Sequence, residues 1–269
     1  MMKGALMNVG KLIRIKRIIN PKTRKTVIIP MDHGVSMGPI PGLEDMDKTV
    51  NMIIRGGANA AVVHKGIVTS TNRSEDTDIG LIIHLSASTS LNPEPNRKIS
   101  VCDVEEALSL GADAVSVHVN IGSGSEGMML ESLGKTAKEC NRWGMPLLAM
   151  MYPRGKDISE NVDSIKLAAR VGAELGADII KCPYTGDAES FAQVVRGCPV
   201  PVVIAGGSKL SDVETLKVIE GAMKAGAAGL SMGRNAFQHE DPERFVYVAC
   251  RMVHDGLSMA EALEMLKGK

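Results

Sequence analysis

The chain has 269 residues, 44% of them hydrophobic, with 31 basic and 31 acidic side chains, a balance that describes a soluble globular protein and leaves no disordered stretch. No run of eighteen apolar residues occurs and the N-terminus lacks an unbroken apolar signal segment, so the sequence predicts no membrane association and a cytoplasmic location. Five scattered cysteines without a CxxC pair fit a reducing compartment and argue against a disulfide framework or a zinc ribbon.

The first 31 residues hold eight Lys or Arg and no acid. The apolar spacing in "VGKLIRIKRII" reads as a helix lying on the body of the protein rather than as an arm for nucleic acid, which gives a basic helical arm over about residues 1–25. Beyond it, a helix-ending glycine followed by a small residue and an apolar run recurs as "GGANAAVV", "LGADAVSV", "LGADIIKC" and "AGAAGLSM". Eight strand-like runs follow in order: "VIIPMDHG", "AAVVHKGIV", "LIIHLSA", "AVSVHVNIG", "PLLAMMYP", "DIIKCPY", "PVVIAGG" and "GLSMGRN". Most gaps carry an amphipathic, helix-length stretch, whereas the link between the second and third runs reads as a polar loop. Eight strand-helix units without a linker predict an α/β fold, a single (β/α)8 TIM barrel over residues 1–269. The seventeen methionines against seven aromatic residues predict an adaptable core filled by Met and Leu, with no cofactor implied.

In such a barrel the catalytic groups gather where the strands end. The sequence offers Asp32 and His33, Lys65, His84 with Ser86, His118 with Asn120, Tyr152 with Arg154, Lys181, Gly206 with Gly207, and Gly233 with Arg234 at those ends. Lys181 closes the buried-looking run "ADIIKC", so either its ammonium reaches water or the amine is kept partly deprotonated, by burial and by a neighbouring cation such as Lys65. A neutral amine attacks a ketone and gives an iminium ion, the electron sink for breaking a carbon-carbon bond. Tyr152, one strand away, is the candidate acid, with a tyrosine at a core edge as the alternative reading. Asp32 is the candidate base, and it reads equally as a turn or cap aspartate. The glycines of "AGGSK" and "MGRN" follow the last two strands, where barrels bind phosphate through backbone N–H groups, and Arg234 would add a charge-assisted fork. The glycine-rich "GSGSEG" after strand four reads as a loop.

The segments "MDHGVSMGP", "MMYPRGK", "IIKCPYTGD", "AGGSK" and "MGRNAFQH" resemble the archaeal class I aldolases of the DeoC/FbaB type over nearly the whole chain. Within that family "HKGIV", "LIIHLSA", "TSLNP" and "SVHVNIG" are similar to the transaldolase branch that opens an alternative route to 3-dehydroquinate and the aromatic amino acids. The resemblance implies Lys181 as Schiff-base lysine, Tyr152 as proton donor and Asp32 as proton acceptor, with a phosphorylated ketose, 1-deoxy-D-threo-hexo-2,5-diulose 6-phosphate, and L-aspartate semialdehyde as substrates. It further implies that Asp32, His33, Gly34, Val35, Ser36, Tyr152, Pro153, Arg154, Gly206, Gly207, Gly233 and Arg234 hold the substrate, that no cofactor or metal takes part, and that the chain forms a homo-oligomer, often a decamer. Ser208 and Pro183 depart from the residues that the resemblance leads one to expect.

Two rivals stand beside this reading. Fructose-1,6-bisphosphate aldolase would share the lysine and the phosphate loops but bind a second phosphate. A metal-dependent barrel lyase or hydrolase would draw on His33, His64, His84 and His118, although no HxH pair or carboxylate-rich strand end gives ligand spacing.

Overall fold

The repeated motif marks the places where helices end and strands begin. In the computed structural model, which describes residues 8–70 and 79–268, Gly57, Gly111, Gly176 and Gly226 all adopt left-handed φ, from 80° to 102°. That is the helix-ending conformation that costs glycine least. The third residue of each acidic or amide copy then accepts a backbone N–H from the first or second residue of the preceding strand. Asn59 takes Val27 N at 2.7 Å, Asp113 takes Leu81 N at 2.9 Å and Asp178 takes Leu147 N at 2.9 Å. The motif therefore locks neighbouring strands in register at their amino ends.

The eight apolar runs all form strands: β1 Thr26–Pro30, β2 Ala60–Val63, β3 Gly80–His84, β4 Ala114–Ile121, β5 Leu147–Pro153, β6 Ile179–Cys182, β7 Val202–Ala205 and β8 Gly229–Ser231. They close in the order β1-β8-β7-β6-β5-β4-β3-β2, with every neighbouring pair parallel. This is the (β/α)8 barrel that the strand count predicts. The β2–β3 link differs from its loop reading, since Lys65–Ser70 form a helix. Residues 71–78 lie outside the described part of the chain. After β3 the chain makes a small antiparallel ribbon, Ser86–Ala87 with Ile99–Ser100.

Alternate residues of each strand face opposite sides. Ile28, Ala60, Ile82, Ala114, Leu148, Ile179 and Val203 pack together inside the barrel, while their sequence neighbours Val27, Ala61, Ile83, Val115, Ala149, Ile180 and Ile204 belong to the outer layer. That outer layer packs beneath helices such as Val162–Glu174 and Ala188–Gly197.

The basic N-terminal segment does form a helix, α1 Val9–Ile18, capped by the Asn8 side chain. It stoppers the bottom of the barrel. Ile15, Ile18 and Ile19 join the inner cluster, and Thr26 Oγ1 donates to the Ile18 carbonyl at 2.6 Å. Two of the helix's cations are neutralised by the motif carboxylates: Lys11 pairs with Asp178 at 2.9 Å and Arg17 with Asp113 at 2.7 Å. Those contacts commit two of the arm's cations to the barrel floor.

Because Ile18 is fully buried at the foot of the inner core, Ile18→Ala should cost about 2–5 kcal/mol, the usual range for truncating a buried aliphatic side chain. Urea unfolding would measure it. An unchanged midpoint would show that α1 does not stabilise the barrel.

Candidate active site

The inward face of each strand continues past its last ladder hydrogen bond, and the same alternation that fills the core lays out the mouth. From β1 the inward series runs Ile28, Pro30, Asp32; from β2, Ala60, Val62, His64; from β4, Ser116, His118, Asn120; from β5, Leu148, Met150, Tyr152, Arg154; from β6, Ile179, Lys181. Toward the mouth, Asp32, His64, His118, Met150, Tyr152, Arg154 and Lys181 of these series line a cavity of about 250 Å³ at the carboxyl ends of the strands. Lys181 lies beside Met150 in the β5–β6 ladder, one inward step below Tyr152 on the adjacent strand.

Lys181 is 6% exposed. Burial pushes its amine down to about 8, helped by the Arg154 and Arg234 guanidinium groups and opposed by Asp32. Asp32 is the carboxylate of the cavity. Burial works against its ionisation, but the positive potential of His84, His33 and Lys181 outweighs this and holds it below the usual carboxylate range. His84 Nε2 and His33 Nδ1 each lie 3.7 Å from an Asp32 oxygen. Burial in turn pushes His84 down to about 4, and its Nδ1 shares a 2.8 Å hydrogen bond with Ser116 Oγ. Near neutral pH the histidines around Asp32 are therefore uncharged, and the Lys181 ammonium faces it as the titrating cation.

Tyr152 is held in a stack. The His118 ring lies 4.9 Å from it at 22°, and the Arg154 guanidinium sits 4.4 Å from its ring centre. Burial pushes the phenol well above its ordinary value, so it keeps its proton. His118 is oriented by Asn120 Oδ1 at 2.9 Å, and Asn120 Nδ2 donates to the Asn96 carbonyl at 2.7 Å.

On the other side of Lys181, the loops after β7 and β8 form a concave, donor-lined wall. Gly207 adopts φ +64°, which β-branched residues resist, and a Cβ on Gly233 would sit 2.5 Å from the Pro30 carbonyl. Arg234 Nη2 donates to Gly207 O at 2.6 Å, while its buried Nε has no partner among the described residues. A buried guanidinium N–H left without an acceptor is costly unless a ligand supplies one.

Most residues singled out from sequence meet in this cavity: Asp32, His33, Ser36, Tyr152, Arg154, Lys181, Gly206, Gly207, Gly233 and Arg234. Gly34, Val35 and Pro153 do not line it; Gly34 and Val35 border a separate shallow groove, and Pro153 falls on the outward side of β5. Lys65 corrects the sequence reading. It follows His64, turns out of the barrel and pairs with Glu106 at 2.8 Å, so the cations that depress the Lys181 amine are Arg154 and Arg234. Lys98, from the ribbon loop, and Ser231 line the cavity without having been anticipated. Lys98 carries no sequence signal, because it sits in a polar loop rather than at a strand end. Among the described residues no three His, Cys, Asp or Glu side chains converge as a metal site.

Residues 26–239 match the family described as DeoC/LacD family aldolase. The chain is 48% identical over 255 residues to 2-amino-3,7-dideoxy-D-threo-hept-6-ulosonate synthase 1 of Archaeoglobus fulgidus, covering 95% of each. It is 39% identical over 249 residues to 2-amino-4,5-dihydroxy-6-oxo-7-(phosphonooxy)heptanoate synthase of Streptomyces griseus, covering 91% of each. The structure of a Schiff-base-forming fructose-1,6-bisphosphate aldolase superposes with a TM-score of 0.83 at 32% identity, covering 90% of this chain and 99% of that one.

With its amine near 8, Lys181 should react with a ketose at a rate that climbs as pH rises towards about 8 and then levels, because the free base is the nucleophile. Borohydride trapping at fixed ketose across pH 6–10.5, read by the mass of the Lys181 peptide, tests this. A rate still climbing at pH 10 would mean an ordinary, solvated lysine.

Proposed function

The chain belongs to the DeoC/LacD aldolase family, as an enzyme of the class I type, and from that premise we propose that it is a transaldolase making 2-amino-3,7-dideoxy-D-threo-hept-6-ulosonate. The observation that carries this reading is the buried amine of Lys181, 6% exposed, in one cavity with the Asp32 carboxylate and the Tyr152 phenol. That set can form an imine and move the protons on either side of it.

Lys181 Nζ attacks the C2 ketone of 1-deoxy-D-threo-hexo-2,5-diulose 6-phosphate. Tyr152 supplies the proton with which the carbinolamine hydroxyl leaves as water. Asp32 takes the proton of the C4 hydroxyl, the C3–C4 bond breaks, and its electron pair passes into the iminium to leave an enamine on Lys181. A three-carbon dioxopropyl phosphate departs. C3 of the enamine then adds to the aldehyde of L-aspartate semialdehyde, Asp32 returns its proton to the new alkoxide, and water releases the product. The β7 and β8 loops, through Gly206, Gly207, Gly233 and Arg234, hold the donor phosphate, and Asp32, His33, Ser36, Tyr152 and Arg154 hold its hydroxyl and keto oxygens. We place the reaction in the cytoplasm, as the apolar patterning of the sequence leads one to expect, and in a homo-oligomer, as the family resemblance implies.

One feature favours a second reading. Cations stand on both sides of Lys181, at Arg234 and at Arg154 with Lys98, and such a pair of poles also fits fructose 1,6-bisphosphate. The deciding experiment supplies the diulose phosphate with aspartate semialdehyde in one assay and fructose 1,6-bisphosphate alone in another. Faster turnover of the bisphosphate would replace the transaldolase reading with the aldolase one.

Within the mechanism, Asp32→Asn should still be trapped by borohydride yet fail to break the carbon-carbon bond, since imine formation precedes its step. Tyr152→Phe should lower turnover roughly 10²-fold with little change in donor affinity. Normal cleavage by Asp32→Asn would remove that residue from the chemistry, and chelators should change nothing.

The phosphate assignment has its own test. Arg234→Ala should weaken phosphorylated donor by about 1.5–3 kcal/mol, the loss of a charged hydrogen bond, and leave a dephosphorylated ketose almost unaffected. Equal penalties on both would make Arg234 structural.

A further inference from the structure

The cavity holds more positive charge than the donor phosphate explains. Lys98 reaches into it from the ribbon loop and is half-buried, and its protein partner is the neutral Ser88 hydroxyl. The Arg154 guanidinium lines the same cavity and, among the described residues, forms no hydrogen bond or ion pair; its contact is the face of Tyr152. The two are brought to one side by the backbone. Asn120 stands opposite Tyr152 in the β4–β5 ladder, and its side chain holds the Asn96 carbonyl at 2.7 Å, two residues before Lys98. Further bonds fix the other arm of the loop: Ser88 Oγ donates to Pro95 O at 2.8 Å, and Ser36 Oγ to Ser88 O at 2.9 Å. Lys98 is thus held over the β4–β5 wall, facing the cavity. The two groups feel each other, since Arg154 adds to the burial that depresses the Lys98 amine. Arg234 lies across the mouth beside β8, near His33.

A lysine and an arginine converging without a carboxylate between them is unfavourable in the free protein and favourable once an anion is seated. We propose that, once the three-carbon phosphate has left and freed Arg154 from the donor's oxygens, Lys98 and Arg154 form the acceptor subsite and bind the α-carboxylate of the amino-acid aldehyde, with Lys98 the residue that selects it. This rests on the transaldolase reading above. The planar fork of Arg154 and the point charge of Lys98 suit a carboxylate reached from the rim, while the glycine-lined wall with Arg234 suits the three oxygens of a phosphate. Three bonds separate the aldehyde carbon from the carboxylate carbon in aspartate semialdehyde. An aldehyde presented to the enamine on Lys181 can therefore keep its anion at the β4–β5 rim while Asp32 serves its oxygen. Both curated relatives described above are named for seven-carbon 2-amino acids that differ at the ketone end. A dedicated carboxylate pole away from Arg234 would serve the half that the two products share.

The test is two-substrate kinetics on the full-length protein. Lys98→Met should raise the KM for L-aspartate semialdehyde roughly 10- to 100-fold, the scale of one charged hydrogen bond, while the donor KM and the borohydride trapping rate with donor alone stay within about twofold. Lys98→Arg should recover most of the loss. With 3-aminopropanal, the same aldehyde without its carboxylate, wild type and Lys98→Met should have equal kcat/KM, which closes a mutant-substrate cycle. An unchanged acceptor KM in Lys98→Met, or a donor KM that rises equally, overturns the proposal. A wild-type protein that cleaves fructose 1,6-bisphosphate and leaves aspartate semialdehyde unused overturns instead the transaldolase reading on which it rests.

Discussion

The two-residue alternation of parallel strands in a closed barrel governs everything else in this molecule. Once Ile179 points inward, Lys181 must point inward too, because the pleat repeats every second residue. The amine is then surrounded by barrel wall instead of water, and burying its charge is costly. The molecule answers that cost in two ways. It supplies Asp32 from the far side of the mouth, and it lets the amine titrate near 8 rather than near 10.5. Nucleophilicity follows from where the strand parity puts the side chain, with no special chemistry in the lysine itself.

The same constraint sorts the other polar groups. His64 faces in and Lys65 faces out, although adjacent, so a histidine contributes to the field at Asp32 while the lysine joins a surface pair with Glu106. Tyr152 and Arg154 face in on one strand, while Pro153 between them faces out. The mouth that results is cationic. Lys98, Arg154, Lys181 and Arg234 line it against the carboxylate of Asp32, so a ligand with negative charge at its ends relieves repulsion that the free protein carries. Seating those anions away from the reacting carbons matters as well. A phosphate set against Lys181 would raise its pKa and remove the free amine that the reaction needs.

The architecture was legible because its signal is repetitive. Eight apolar runs and four helix-ending glycines are a pattern that local propensity and packing both support, and the structure gives every run as a strand. The repeat does more than end helices, since its Asn59, Asp113 and Asp178 tie strand to strand, a contact about 31 or 32 residues away in sequence. Side chains at strand ends were legible for the same reason, as the barrel says where such ends meet. What escaped were the features that need direction or a distant partner. Lys65 and Lys181 look alike at strand ends, and only parity separates them. Gly34 and Val35 follow Asp32 closely in sequence, yet the chain has already turned away into a short helix, Gly34–Met37. Lys98 enters the cavity through a loop pinned by Asn120 and Ser36, contacts that no local pattern announces.

The three central groups are separated in titration range, and this separation lets one small cavity carry both proton donation and proton acceptance. Asp32 is held below the carboxylate range by the charges around it, and Tyr152 is held above the phenol range by burial, with Asp32 adding to that rise. Between those limits Lys181 titrates at about 8, above His84, which has already lost its proton near 4, and above the remaining mouth histidines, which are shifted downward. Over the pH range in which the amine loses its proton, Asp32 is ionised and Tyr152 protonated, so in the proposed mechanism neither role requires a group to be in its minority form. Moving either neighbour would erode this. A protonated Asp32 would withdraw the charge that opposes desolvation and push the lysine lower still, making a better nucleophile beside a carboxyl that can no longer take the hydroxyl proton. The position of Asp32 is therefore a compromise in the proposed mechanism: it shares the cavity with Lys181 and opposes the fall of its pKa, yet does not restore the lysine to a permanent ammonium.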